Sequence, residues 1–179
     1  RERVVLQLQR AFWLQMFGGG LLHADPHPGN FKITADGELG ILDFGCVKIF
    51  EEPFLRAFSE MMHAEMEGDE ERLRDVFCEL GLMEDRDNDE ELEDMEKIAA
   101  YFSAGIRRDA VFDFGAFDYA AAGRDLIKHF VTRRRPPPAQ REFLFLSRVV
   151  LGYYEYFARA EAKMNFHRYV RPYFEGGFT

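Results

Sequence analysis

Val4, Val5, Leu8, Phe12 and Met16 recur at three- and four-residue steps along one helical face, with Arg3, Gln7, Gln9 and Arg10 on the others. A helix over 1–17 follows, and Gly18-Gly19-Gly20 stops it. Two short apolar runs come next, Phe31-Lys32-Ile33-Thr34 and Leu39-Gly40-Ile41-Leu42-Asp43, joined by Ala35-Asp36-Gly37-Glu38. The Asp-Gly pair predicts a tight turn and hence a hairpin. From Pro53 onward the helical period returns in Phe54, Leu55, Phe58, Met61, Met62 and Glu65, with Pro53 in the first turn. Further helices are expected over 70–80, ending at Gly81, then from the acidic run at 84–97 to near Gly105, over about 117–131, and over 139–159. The triple proline Pro136-Pro137-Pro138 separates the last two, and the tail is expected to stay helical to Tyr169 before Pro172 and Gly176-Gly177. The expected fold is mainly α with a small β-hairpin, its helical remainder running over 53–171.

Composition narrows the function classes. At 179 residues and 47% hydrophobic, the chain can bury a core. A net charge of -9 argues against a nucleic-acid partner, because phosphate backbones are held by clustered Lys and Arg. The basic run Arg133-Arg134-Arg135 leads directly into the prolines and reads as a loop, a headgroup or acidic-partner contact being its alternative. The acidic run at 84–97 reads as a solvated helix start, since carboxylates favour helix N-termini. Cys46 and Cys78 have no zinc-knuckle spacing, and a reducing compartment is expected. The most apolar stretch, 143–158, is interrupted by Arg148 and Glu155 and is shorter than the about 20 residues a bilayer span needs. A soluble protein is therefore expected. Arg1 already lies inside an amphipathic pattern, which suggests a piece of something longer.

The chemistry-bearing residues are concentrated in 20–45. Asp25 and Asn30 are five residues apart on a loop stiffened by Pro26 and Pro28, with Gly29 permitting a tight turn. Asp43 follows after a hairpin that folds back toward them. Two carboxylates and an amide are hard oxygen donors of the kind that hold Mg²⁺ beside phosphate oxygens, whereas zinc calls for more nitrogen or sulfur.

The residues His23-Ala24-Asp25-Pro26-His27-Pro28-Gly29-Asn30, followed by Asp43-Phe44-Gly45, resemble the catalytic and metal-binding loops of the protein-kinase-like fold, in the wording of the UbiB/AarF family of atypical kinases. The resemblance implies the C-terminal lobe of that fold over 1–179, with the catalytic loop at 23–30, the hairpin and metal loop at 31–45, and the N-lobe absent. It implies ATP and Mg²⁺, with Asp25 as general base or substrate-orienting carboxylate, Asn30 as a magnesium ligand, and Asp43 as the main magnesium ligand bridging nucleotide phosphates. His27 stands where many kinases place a phosphate-contacting Lys. His23 is expected to be a packing and hydrogen-bonding residue. Members of the family accompany ubiquinone and other isoprenoid-lipid metabolism. A lipid or quinone-pathway small molecule, a peripheral membrane surface and a protein partner are thus candidates, in the cytoplasm or an organellar matrix.

Two departures from ordinary kinases matter. Ala24 replaces the Arg that pairs with a phosphorylated activation loop, and only Cys46 to Glu52 lie between Gly45 and the next helix, with no Ala-Pro-Glu after it. A protein substrate is disfavoured; a small lipid-like acceptor or simple ATP hydrolysis fits better. No phosphate-covering loop, strand Lys or Lys-x-Gly-Gln element precedes the catalytic loop, so this chain supplies only the floor of a nucleotide site. Weak Mg-ATP binding and negligible turnover are expected of the piece alone. A second Asp-Phe-Gly, at Asp113-Phe114-Gly115, lacks a preceding loop and hairpin and is assigned to chance in a chain with 19 Phe. Phe143, Phe145, Tyr153, Tyr154, Tyr156 and Phe157 could floor a prenyl groove, with core packing as the favoured reading. The alternatives to an enzyme lobe are a pseudokinase or scaffold lobe and a metal-dependent hydrolase using His23, Asp25 and His27.

Overall fold

A computed structural model of the chain describes residues 1–134, 136 and 140–175. Arg135 of the basic run, Pro137 and Pro138 of the proline break, and Gly176-Gly177 lie outside the described residues. Helix α1 (Glu2–Trp13) buries Val5, Leu8 and Phe12 along the predicted stripe, then loosens into a wider π turn over Leu14–Gly18 that buries Met16. Gly20, at a φ of 63°, turns the chain into strand β1 (Leu21–His23).

Strands β2 (Phe31–Ile33) and β3 (Leu39–Ile41) form the expected antiparallel hairpin, with Phe31 opposite Ile41 and Ile33 opposite Leu39. Gly37 takes a φ of 79° in its turn and donates its amide to the Thr34 carbonyl at 2.9 Å. A second ladder went unforeseen: β1 pairs antiparallel with β4 (Val47–Ile49), Leu21 opposite Ile49 and His23 opposite Val47. The loop at 24–30 and the hairpin are thereby enclosed between two paired strands.

Helices α2 (Glu52–Glu67) and α3 (Glu70–Glu79) form an αα-hairpin across Gly68. The Asp69 carboxylate caps α3 by accepting the Arg72 amide. Helix α4 (Asp89–Phe102) begins in the acidic run with Asn88 as its cap. The solvated reading holds for Asp89 and Glu90 but not for Glu91 and Asp94, which are buried. Glu91 accepts the Glu84 amide at 2.7 Å, and Asp94 accepts from the His129 ring at 2.6 Å. Helix α5 (Tyr119–Arg133) carries that histidine, and its last residue, Arg133, pairs with Glu93 of α4 rather than lying in a loop.

Helix α6 (Arg141–Arg159) runs beneath the loop that carries Asp25 and Pro26. The tail is not one continuous helix. It breaks at Ala160, where Glu161 adopts a φ of 54°, and forms β6 (Lys163–Met164) before two short helices, α7 (His167–Val170) and α8 (Pro172–Glu175). Strand β6 pairs with β5 (Phe112–Asp113). The second Asp-Phe-Gly is therefore a structural corner. Phe114 is buried with its ring centroid 4.8 Å from Phe166 and 5.2 Å from Phe157, and Asp113 pairs with Lys163. Among the described residues, no helix is long and apolar enough to cross a membrane.

Candidate functional site

The stretch from Ala24 to Asn30 is held from below by its neighbours in the β1–β4 ladder. The Ala24 amide donates to the Cys46 carbonyl at 2.9 Å, which extends the pairing one step past His23. The chain then doubles back on itself. The His27 amide donates to the Asp25 carbonyl at 2.8 Å, and Pro28–Asn30 form a single 3₁₀ turn whose cap is the His27 ring. His27 Nδ1 accepts the Gly29 amide at 3.1 Å, which leaves Nε2 as the protonated nitrogen of an exposed ring.

This turn brings Asn30 back onto Asp25. Asn30 Nδ2 donates to Asp25 Oδ2 at 2.8 Å and to the Asp25 carbonyl at 3.3 Å. With the amide nitrogen committed, Asn30 Oδ1 is left as an oxygen donor for a hard cation. The five-residue interval thus has a direct geometric meaning: one short turn returns the amide to the carboxylate.

Asp43 reaches the same frame through backbone. The Leu42 amide donates to the Asn30 carbonyl at 2.7 Å, and the His23 ring holds the carbonyls of Leu42 and Asp43 at 3.2 and 2.9 Å. Asp43 adopts a φ of 54°, a left-handed conformation that Asp tolerates better than most residues. Its Oδ1 accepts the Gly45 amide at 3.1 Å, fixing the start of the Asp-Phe-Gly turn on an exposed rim. The described hydrogen bonds join Asp25 to Asn30 directly, and join Asp43 to them only through the main chain.

His23 is 1% exposed and bonded to backbone, so it is the structural residue expected. The hydrolase reading loses its footing here. Among the described residues, no group of three His, Cys, Asp or Glu side chains is placed to hold a metal ion, and His23 and His27 are each engaged with backbone. Both cysteines are free thiols, each half-buried.

A contributor that sequence reasoning missed comes from α6. Arg148 Nη2 lies 3.2 Å from Asp25 Oδ1, the carboxylate oxygen that Asn30 leaves unused. The Tyr156 hydroxyl donates to the Pro26 carbonyl, and burial pushes that phenol up from its ordinary value. Gly152 lies between them in sequence; a Cβ there would sit 2.6 Å from Pro26 Cγ, so only glycine permits this approach. Lys48 of β4 adds a further tie at 3.1 Å from Glu142, whose carboxyl is held below its usual value by its own backbone amide and by Lys48. Arg148 was visible in sequence only as an interruption of an apolar run, although Arg148, Gly152 and Tyr156 share one helical stripe.

Beside Asp25 lies a cavity of about 400 Å³ lined by Asp25, His27, Arg148, Gly152 and Tyr156 among others. A second, apolar cavity of about 660 Å³ is walled by Phe102, Ile106, Leu126, Phe130, Phe143 and Tyr153 and shares no lining residue with the first. Of the aromatics weighed as a groove floor, Tyr153, Tyr154 and Phe157 are buried in the core, and with Phe143 they also line this apolar cavity.

Residues 1–77 match the ABC1 atypical kinase-like domain. The mitochondrial atypical kinase COQ8B of Rattus norvegicus is 27% identical over 183 residues, covering 94% of this chain and 34% of COQ8B. A chloroplastic aarF domain-containing protein kinase of Arabidopsis thaliana is 41% identical over 69 residues, 38% of this chain and 10% of that protein. The Synechocystis protein slr0889 is 34% identical over 93 residues, 52% of this chain and 23% of its own length. The chain thus spans about a third of COQ8B and less of the other two.

Proposed function

We propose, from the premise that this chain belongs to the UbiB/AarF family of atypical kinase-like proteins, that it is the C-lobe floor of a Mg-ATP site that transfers a phosphoryl group or hydrolyses ATP. The observation that carries this reading is the Asp25–Asn30 pair at 2.8 Å, strapped through the Asn30 carbonyl to the strand that delivers Asp43. The donor set fits magnesium: Asn30 Oδ1 and the Asp43 carboxylate are hard oxygens, with no thiolate in the set. When bound there, the ion would supply charge neutralisation for the nucleotide phosphates.

The remaining roles fall to the chain's own groups. Asp25 takes the proton of the acceptor hydroxyl or water, or orients it. His27 offers Nε2–H to a phosphate oxygen from its exposed ring. His23 keeps the Asp43 backbone in register with the loop. The acceptor we assign is a small molecule of lipid or quinone metabolism. Two features support that class: the cavity beside Asp25 is of small-molecule size, and α2 begins at Glu52, too soon after Gly45 for a peptide-docking segment. The separate apolar cavity suits an acyl or prenyl chain. The mitochondrial and chloroplastic relatives support an organellar setting, with the N-lobe supplied by the whole protein.

The test uses the full-length protein. Asp25→Asn is expected to lower ATP turnover by about a hundredfold or more while Mg-ATP still binds. Asp43→Ala is expected to abolish magnesium-dependent nucleotide binding with the fold retained by circular dichroism. Unchanged turnover in both variants would sink the reading.

A further inference from the structure

We propose that Arg148 is a positioning residue that fixes the Asp25 carboxylate for the reaction assigned above, a reading on which this inference rests. Arg148, Gly152 and Tyr156 are spaced four residues apart on α6 and therefore share one face of the helix. All three meet the same two residues of the loop: Arg148 meets Asp25, and Gly152 and Tyr156 meet Pro26. The helix is docked on the loop by a close backbone approach and a hydroxyl-to-carbonyl bond. Arg148 is the charged group that this docking delivers.

The two carboxylate oxygens are divided between partners from distant parts of the chain. Asn30, five residues along the loop, holds Oδ2 at 2.8 Å; Arg148, 123 residues away, holds Oδ1 at 3.2 Å. With both oxygens engaged, rotation about the bond to the carboxyl group is restrained, and each oxygen keeps lone-pair capacity for an acceptor in the adjoining cavity. Arg159, on the same cavity wall, is paired with Glu155 at 2.7 Å, so Arg148 is the arginine of this wall that serves Asp25. The Arg148 side chain is 58% exposed and that of Asp25 35%, so the pair adds little to stability and its effect is on orientation.

Arg148→Gln and Arg148→Lys in the full-length protein separate positioning from folding. The expected result for Arg148→Gln is about a tenfold fall in kcat, with KM for Mg-ATP within about twofold of wild type. Arg148→Lys is expected to recover most of the loss, because the charge returns without the planar fork. A readout free of turnover is the Asn30 side-chain amide pair in a ¹⁵N correlation spectrum, assigned through Asn30→Asp, which is expected to move in Arg148→Gln. A kcat within twofold together with unmoved Asn30 signals would overturn the inference. So would a fall in kcat that tracks lost thermal stability while those signals stay in place. Wild-type protein that turns over no ATP would refute the nucleotide reading alone, and the Asn30 signals would still decide the role of Arg148.

Discussion

A buried imidazole with one working nitrogen does more for this site than its catalytic-looking context suggests. His23 Nε2 bonds to two consecutive carbonyls, whereas Nδ1 is buried without a partner among the described residues. Truncation in His23→Ala would strip both carbonyls of their donor and open a void beside Phe31 and Phe44, which flank the ring. The expected cost is about 2–4 kcal/mol, read from urea denaturation. Glu65 gives a residue-scale pH dependence. Burial raises its carboxyl above the ordinary value of 4.5, against the opposing pull of Arg107 at 2.8 Å and the Ser103 hydroxyl. The folded protein holds that proton more tightly than the unfolded chain, so this contribution to stability is fully present below the ordinary carboxyl value and is lost as pH rises through the raised one. Glu65→Gln is expected to flatten the decline, measured as the urea midpoint from about pH 4 to about pH 8. Conversely, Glu142 is held low, so the stability it contributes is present above its ordinary value and is lost as pH falls through the depressed one.

At the scale of elements, the contact between α6 and the loop at 24–30 is a junction sensitive to a single methyl group. Gly152→Ala would place a Cβ 2.6 and 2.7 Å from two Pro26 ring carbons and force the helix away from the loop. A loss of about 1–3 kcal/mol in denaturant unfolding, with a matching fall in turnover of the full-length protein, is expected. This junction also marks where sequence reading reached its limit. Helices with a sustained 3.6-residue stripe, such as α1 and α2, were legible because one buried face imposes its period on the chain. The Asp25–Asn30 contact was legible because five residues of proline-stiffened loop leave few ways to turn. The β1–β4 ladder was not, since each strand has three residues, too few to show an alternation, and its partner is set by tertiary packing. The tail was misread for a related reason: its apolar residues keep a helical rhythm, but Glu161 turns left-handed and β6 pairs back onto β5. Arg148 shows locally only as a break in an apolar run, because its role depends on a contact across most of the chain.

Across the molecule, one aromatic and aliphatic core joins α1, α2, α6 and the closing helical turns. Phe12 meets Tyr153 of α6, while Phe17 reaches both Phe58 of α2 and Phe174 of α8. A core shared this widely predicts a single cooperative unfolding transition, with far-ultraviolet circular dichroism and tertiary probes coinciding; separated midpoints would show that the tail or the α4–α5 pair melts on its own. The chain supplies the tertiary probe itself. Its single tryptophan, Trp13, is 4% exposed, stacked on Phe17 and met edge-on by Phe174, with an indole nitrogen that has no hydrogen-bond partner among the described residues. An indole so sealed should glow at the blue end of its emission range and redden only when the first and last helices part, which makes the protein its own optical gauge of closure with no label attached.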